Sequence, residues 1–223
     1  NEGYLDGEPL KLPATTEDVQ ALLKRIHVDG VRYEEIFITD YETDVSGLYD
    51  CLGEYESIDE LNYLASLLDD MDEGEQAKFE AALSYGDYTG SLKDLINLAQ
   101  NLDCYEYYPG ISDEDDLGRY MIDEMGAMEV PEYLENYIDY ESYGRDVSLE
   151  DGGTFTPNGY IVNNGGSFIE YYNSRDDLPE EHRIFAYPEP EKSIRDTLKQ
   201  YQQMIDAAPT AERIRPSPAH EER

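Results

Sequence analysis

A chain of 223 residues and 25.5 kDa is long enough for one large domain or two to three small ones, and 39% hydrophobic residues can furnish a core. Its 52 acidic residues face only 16 basic ones, a formal net charge of −36 and a pI near 4.1, which argues against nucleic acid or an anionic membrane as a direct partner because both would be repelled. With no basic leader and no apolar run approaching about 18 residues, a soluble cytoplasmic protein is expected, and the opening Asn1 in place of Met predicts a natural start further upstream.

In chain order, "TTEDVQALLKRIHVDG" predicts a capped amphipathic helix, followed by a strand at "RYEEIFITDYE" (32–42). In "SIDELNYLASLLDDM", Ser57 and Glu60 have capping-box spacing, and Ile58, Leu61, Leu64, Ala65 and Leu68 fall on one helical face. A second helix of this middle region opens near Asp72 and closes near Gly86. A third is capped by Ser91, with Leu92, Leu95, Ile96 and Ala99 as its apolar stripe. The stretch "SDEDDLGRYMIDEMG" predicts a helix from a Ser112 cap to Gly126. Asp113, Glu114, Asp115 and Asp116 crowd its first turn beyond what capping needs. Pro131 then opens "PEYLENYIDYE", a helix expected to turn Leu134, Tyr137 and Ile138 inward and Glu132, Glu135 and Asp139 outward. "GTFTP", "GYIVNNGG" and "SFIEYYN" predict short strands, with Asn164-Gly165 as a hairpin turn. A last helix is expected over Ser193 to Ala207, followed by a disordered end. The fold class is therefore α+β, with a helical middle and small sheets at both sides.

Little in the chain suggests catalysis. Three histidines (His27, His182 and His220) supply little material for a triad or a zinc site, and no phosphate loop or dinucleotide fingerprint is present. Cys51 and Cys104 are far apart and favour two buried free thiols over a disulfide. Residues 69–80 place Gly74 and Glu80 at calcium-loop positions, yet Met71 takes a ligand position, so a turn between helices is the better reading. No cofactor and no metal are expected, and the protein is expected not to be an enzyme.

The charge is not spread evenly. Residues 33–151 carry 34 acids and 4 bases, whereas residues 1–32 have a net charge of −2 and residues 152–223 of −4. A net of −30 matches the phosphates along roughly 50 Å of duplex DNA. Two carboxylates about 6 Å apart in water repel by roughly 0.7 kcal/mol before screening, so the concentration suggests function. An acidic protein of this kind would enter the basic groove of a DNA-binding protein. The 21 tyrosines give apolar bulk with a surface hydroxyl, and the cluster at 133–143 is a candidate for protein contact.

The blocks "EEIFITDYE", "GEYESIDELNYLA", "YMIDEMGAMEVPEYLENYIDYESYGRD" and "GTFTPNGY" resemble the ArdA-type antirestriction proteins of conjugative plasmids and transposons, in order from about Gly3 to Tyr172. The resemblance implies an elongated, three-domain, homodimeric DNA mimic in the cytoplasm of a bacterial host. It would occupy the DNA-binding groove of a type I restriction–modification enzyme without binding nucleic acid or membrane itself. The implied domains are 1–56 (α/β, lacking a first strand ahead of Asn1), 57–104 (helical) and 105–175 (α+β), with 176–223 as an extension. The family's antirestriction motif falls on Met128 to Tyr140, and its dimer contact is associated with the third domain. The mimic surface would comprise Asp113, Glu114, Asp115, Asp116, Asp123, Glu124, Glu129, Glu132, Glu135, Asp139 and Glu141. Tyr133, Tyr137, Tyr140 and Tyr143 would hold the scaffold or the dimer, and Arg145 would be a structural ion-pair partner. Two other readings of the charge stay open: an acidic adaptor for some other basic DNA-binding protein, and a calcium- or salt-adapted protein.

Overall fold

The computed structural model describes residues 7–31 and 35–188. The predicted helix at 193–207 lies outside them. Within them are six α-helices: α1 (Thr16–Arg25), α2 (Ile58–Asp69), α3 (Glu73–Tyr85), α4 (Leu92–Ala99), α5 (Glu114–Arg119) and α6 (Tyr140–Asp151). Strands β1 (Tyr105–Pro109), β2 (Thr154–Thr156) and β3 (Gly159–Asn163) make one antiparallel sheet, ordered β1-β3-β2. The class is α+β.

Local chemistry sets most helix ends. Thr15 and Asp18 close a reciprocal capping box on α1, and Asp72 and Glu75 close one on α3. Gly86 ends α3 in the left-handed conformation, and Ser91 caps α4 through the Asp94 amide. The box predicted for α2 does not form: Ser57 makes no side-chain cap. Glu60 instead accepts the Tyr172 hydroxyl at 2.6 Å, so a long-range partner has displaced the local one. Within the 69–80 stretch residues 70–72 make the expected turn between helices, with Asp72 capping α3, and 73–80 belong to α3.

The central core joins Leu61 and Leu64 of α2, Phe79 and Ala82 of α3, and Leu95 and Ile96 of α4 to Ile161 of β3. Strand β3 is buried from Gly159 to Val162, with Ile161 turned toward this core and Tyr160 and Val162 toward a second cluster around Leu117 of α5. That alternation follows from the two-residue period of a strand and lets α3 cover one face and α5 the other. A third cluster gathers Val19 and Leu23 of α1, Val28 and Ile184. Both cysteines are free; Cys104 is buried and Cys51 half-buried.

Three expectations about strands and turns are corrected. Of the strand predicted at 32–42, residues 32–34 lie outside the described residues and 35–42 form no strand: Ile38 donates to the Glu54 carbonyl at 2.8 Å, but among the described residues no strand pairs with them. β1 carries the row of tyrosines 105, 107 and 108 and was not anticipated. "SFIEYYN" is not a strand because side-chain amides take its backbone groups. The Asn97 amide donates to the Tyr172 carbonyl at 2.6 Å and accepts from the Tyr172 amide at 2.9 Å. Asn101 does the same to Ile169, at 2.9 and 2.8 Å. Asn164-Gly165 therefore follows β3 rather than joining two strands, and the hairpin turn is Pro157-Asn158 between β2 and β3.

Candidate functional site

The sequence-predicted acidic residues lie on α5, on α6 and on the segment between them. α5 and α6 cross so closely that glycine is required on both sides. A Cβ on Gly118 would overlap the Tyr140 carbonyl oxygen and stand 3.1 Å from the Gly144 amide. One on Gly144 would overlap the Glu114 carbonyl oxygen and stand 2.6 Å from the Gly118 amide. Leu117 then seats the pair on Tyr160 and Val162 of the sheet.

Beyond Arg119 the helix widens into one π turn, Tyr120–Glu124, with Met125 donating to the Tyr120 carbonyl at 3.0 Å. That turn buries Ile122 and leaves Asp123 to accept the Tyr140 hydroxyl at 3.1 Å. Arg119 donates to Asp115 at 2.7 Å, one helical turn back, and its guanidinium lies 4.4 Å from the centre of the Tyr140 ring. Arg119, Ile122, Asp123, Met128, Val130, Glu135, Asn136 and Tyr140 enclose an open groove of about 480 Å³.

The predicted helix at 131–141 is replaced by a 3-10 turn, Glu132–Tyr137, and the α-helix begins only at Tyr140. Leu134 and Tyr137 point outward rather than inward, and Tyr137 is 82% exposed. The reason is the tighter 3-10 winding, which does not extend the α-helical stripe. Tyr133 is exposed as well, Tyr143 is half-buried and only Tyr140 is buried. Arg145 is exposed and donates to the Ser142 hydroxyl at 3.1 Å; among the described residues no carboxylate lies within ion-pair distance of it.

The carboxylates divide into two kinds. Asp113 caps α5 through the Asp116 amide at 2.9 Å, Asp115 pairs with Arg119, and Asp139 caps α6. Hydrogen bonds from the Ser112 hydroxyl (2.6 Å) and amide (3.1 Å) hold Asp116 below the usual carboxylate range. The Ser142 amide (3.0 Å) and hydroxyl (2.8 Å) do the same for Asp139. Glu114 is half-buried, whereas Asp123, Glu124, Glu129, Glu132, Glu135 and Glu141 are exposed.

A pH dependence follows from the two depressed carboxyls. Their contribution is complete above the unfolded value, near about 3.9, and is lost as pH falls through the lower folded values. In an NMR titration the amides of Ser112 and Ser142 will therefore report midpoints below that of an unpaired aspartate. Midpoints at or above the ordinary value would mean that these caps do not form.

The family model described as Antirestriction protein (ArdA) matches residues 1–162. The chain belongs to the ArdA family. No curated protein matches it. Membership gives this ArdA chain an antirestriction role and a restriction–modification system as its counterpart. No helix among the described residues is long and apolar enough to cross a membrane, and among them no group of His, Cys, Asp or Glu is placed to hold a metal ion.

Sequence reasoning missed three residues of this ArdA site. The Asp115–Arg119 spacing was legible as an i, i+4 pair, but nothing local announces that Arg119 also covers Tyr140. Gly118 and Gly144 gave no signal, because a helical glycine shows its purpose only when its neighbour across the crossing is known.

Proposed function

We propose that this ArdA-family chain is a non-enzymatic DNA mimic that occupies the DNA-binding groove of a type I restriction–modification enzyme. In doing so it protects incoming mobile-element DNA in the bacterial cytoplasm. One observation carries the reading. Residues 120–144 expose seven carboxylates (Asp123, Glu124, Glu129, Glu132, Glu135, Asp139 and Glu141) and contain no Lys, Arg or His. In a 3-10 turn, residues three apart eclipse, so Glu132 and Glu135 stand on one side about 6 Å apart along the axis. Such a run offers a DNA-binding groove what DNA offers it: dense negative charge with no cation inside the run.

The reading extends to the remaining surface acids. Asp113, Asp115 and Asp116 are partly occupied in capping and pairing and Glu114 is half-buried, so they contribute less than the exposed glutamates. Domains at 1–56, 57–104 and 105–175, and a homodimer formed through the third of them with Tyr133, Tyr137 and Tyr143 near the contact, complete the proposal.

The test is binding to a purified type I enzyme across a salt series with duplex DNA as competitor. Affinity will fall steeply with salt, and DNA will displace the protein. Glu132→Gln or Glu135→Gln alone will weaken binding by at most about fivefold, because each is one exposed charge among many. Binding that persists at saturating DNA would overturn the mimic. A plasmid-transfer assay in a restricting host separates it from an acidic adaptor for another DNA-binding protein, since only the mimic protects unmodified DNA.

A further inference from the structure

We propose that residues 164–188, which lie beyond the family match, form a strap that couples the N-terminal apolar cluster to the central core, holds α1 in place, and opens from its C-terminal end.

The first third of the strap is clasped from within. Asn164 bonds the carbonyls of Asp103 and Cys104, at 2.8 and 2.9 Å, immediately after β3. Phe168 stacks flat on Tyr88, with ring centres 3.6 Å apart. The buried amides of Asn101 and Asn97 then hold the backbones of Ile169 and Tyr172. Because Asn97 and Asn101 lie four apart on one face of a helix end, they present two amide forks at the spacing of one turn. Each fork satisfies both the N–H and the C=O of a residue that has no strand partner.

The middle of the strap crosses α2. Tyr172 reaches Glu60, Arg175 lies 3.4 Å from the same carboxylate, and His182 lies against the Tyr63 ring at 4.9 Å. Leu178 is buried in the central core. Arg183 locks the bend by donating to the carbonyls of Arg175, Asp176 and Leu178.

The last part closes the N-terminal cluster. Ile184 is one of its four buried residues among those described, and the other three come from α1 and the turn after it. The Phe185 amide donates to Asp59 of α2 at 2.7 Å, and Gln20 of α1 donates to the Tyr187 carbonyl at 3.2 Å. The Tyr187 ring lies where a Cβ on Gly30 would be, 2.5 Å from its nearest ring carbon. Among the described residues no other helix or strand makes extensive contact with α1; Ile184, with Ile36 and Ile58 beside it, and these bonds, with the Ala14 amide on Asn62, seat it. The α4 end is held by buried paired amides, whereas the Phe185–Asp59 and Gln20–Tyr187 bonds of the α1 end lie nearer the surface, so the α1 end is the one that releases.

Hydrogen exchange on the full chain without any target decides this independently of the mimic reading. Ile184→Ala will speed exchange at least tenfold in α1 and in residues 182–187, while α3, α4 and the sheet keep their rates. Asp59→Ala, which removes only the acceptor for Phe185, will act in the same direction and keeps the test open if Ile184→Ala does not fold. Asp59→Asn, which retains an acceptor oxygen, will restore the original rates. Unchanged α1 protection in both Ile184→Ala and Asp59→Ala, or an equal acceleration of every element, would overturn the strap.

Discussion

Gly144→Ala will remove about 3 kcal/mol of stability, at the upper end of what overpacking costs, and Gly118→Ala will do nearly the same. The new methyl meets backbone in both cases: the Glu114 carbonyl for one, the Tyr140 carbonyl for the other. Backbone cannot rotate aside as a side chain can, so α5 and α6 must separate. Leu117 then loses contact with Tyr160 and Val162, where the layers meet. For a protein of this size the melting temperature should fall by roughly 6–12 °C. The double variant will cost less than the sum, because the first methyl already opens the crossing the second would open. Gly126→Ala is the control: its Cβ meets nothing, and only the left-handed backbone (φ +68°) opposes it, at about 1 kcal/mol. Losses below that of the control at both crossing positions would show that the helices do not touch through backbone.

Removing either asparagine fork will be comparably severe. Asn97→Ala leaves the amide and carbonyl of Tyr172 without their partner, and Tyr172 is itself 2% exposed. Each unpaired buried group costs about 1–3 kcal/mol, so the change should destabilise by about 2–4 kcal/mol in urea unfolding. Asn97→Asp separates hydrogen bonding from volume. The aspartate keeps an acceptor for the Tyr172 amide but loses both donated bonds, to Lys93 and Tyr172, and turns an anion toward their carbonyl oxygens. It will be no better than alanine; an aspartate as stable as the parent would show that the fork does not hold residues 169–172. Asn101→Ala will show the same pattern at Ile169, and the two will not add, because the Asn101 amide also donates to the Asn97 carbonyl.

The helices whose ends are fixed by neighbours in sequence were legible. Thr15 with Asp18, Asp72 with Glu75, Ser91 and Gly86 each act within a few residues, so reading the chain is enough to place α1, α3 and α4. Two of the errors fall where a distant group took over a local one. Glu60 has cap-box spacing but turns to Tyr172, and Asn97 and Asn101 resemble ordinary helix-surface residues until residues 169–172 arrive to be bound. At the candidate site, the density of carboxylates between Arg119 and Arg145 was visible at once. Their division into caps, ion-pair partners and free groups was not, because it depends on which donors the fold brings near.

By itself, then, the sequence determined the α+β class, the caps of α1, α3 and α4, the family and the confinement of negative charge to the middle of the chain. These are properties of composition and short-range spacing, where each residue acts on neighbours it cannot avoid. Only the tertiary structure decided that Gly118 and Gly144 meet, that Arg119 covers Tyr140, that Tyr133 and Tyr137 face outward and that residues 164–188 run back over α2 to α1. The crossing, the Arg119–Tyr140 contact and the run of 164–188 join groups separated in sequence, and which of several competing partners a side chain takes is fixed only when the whole core has packed.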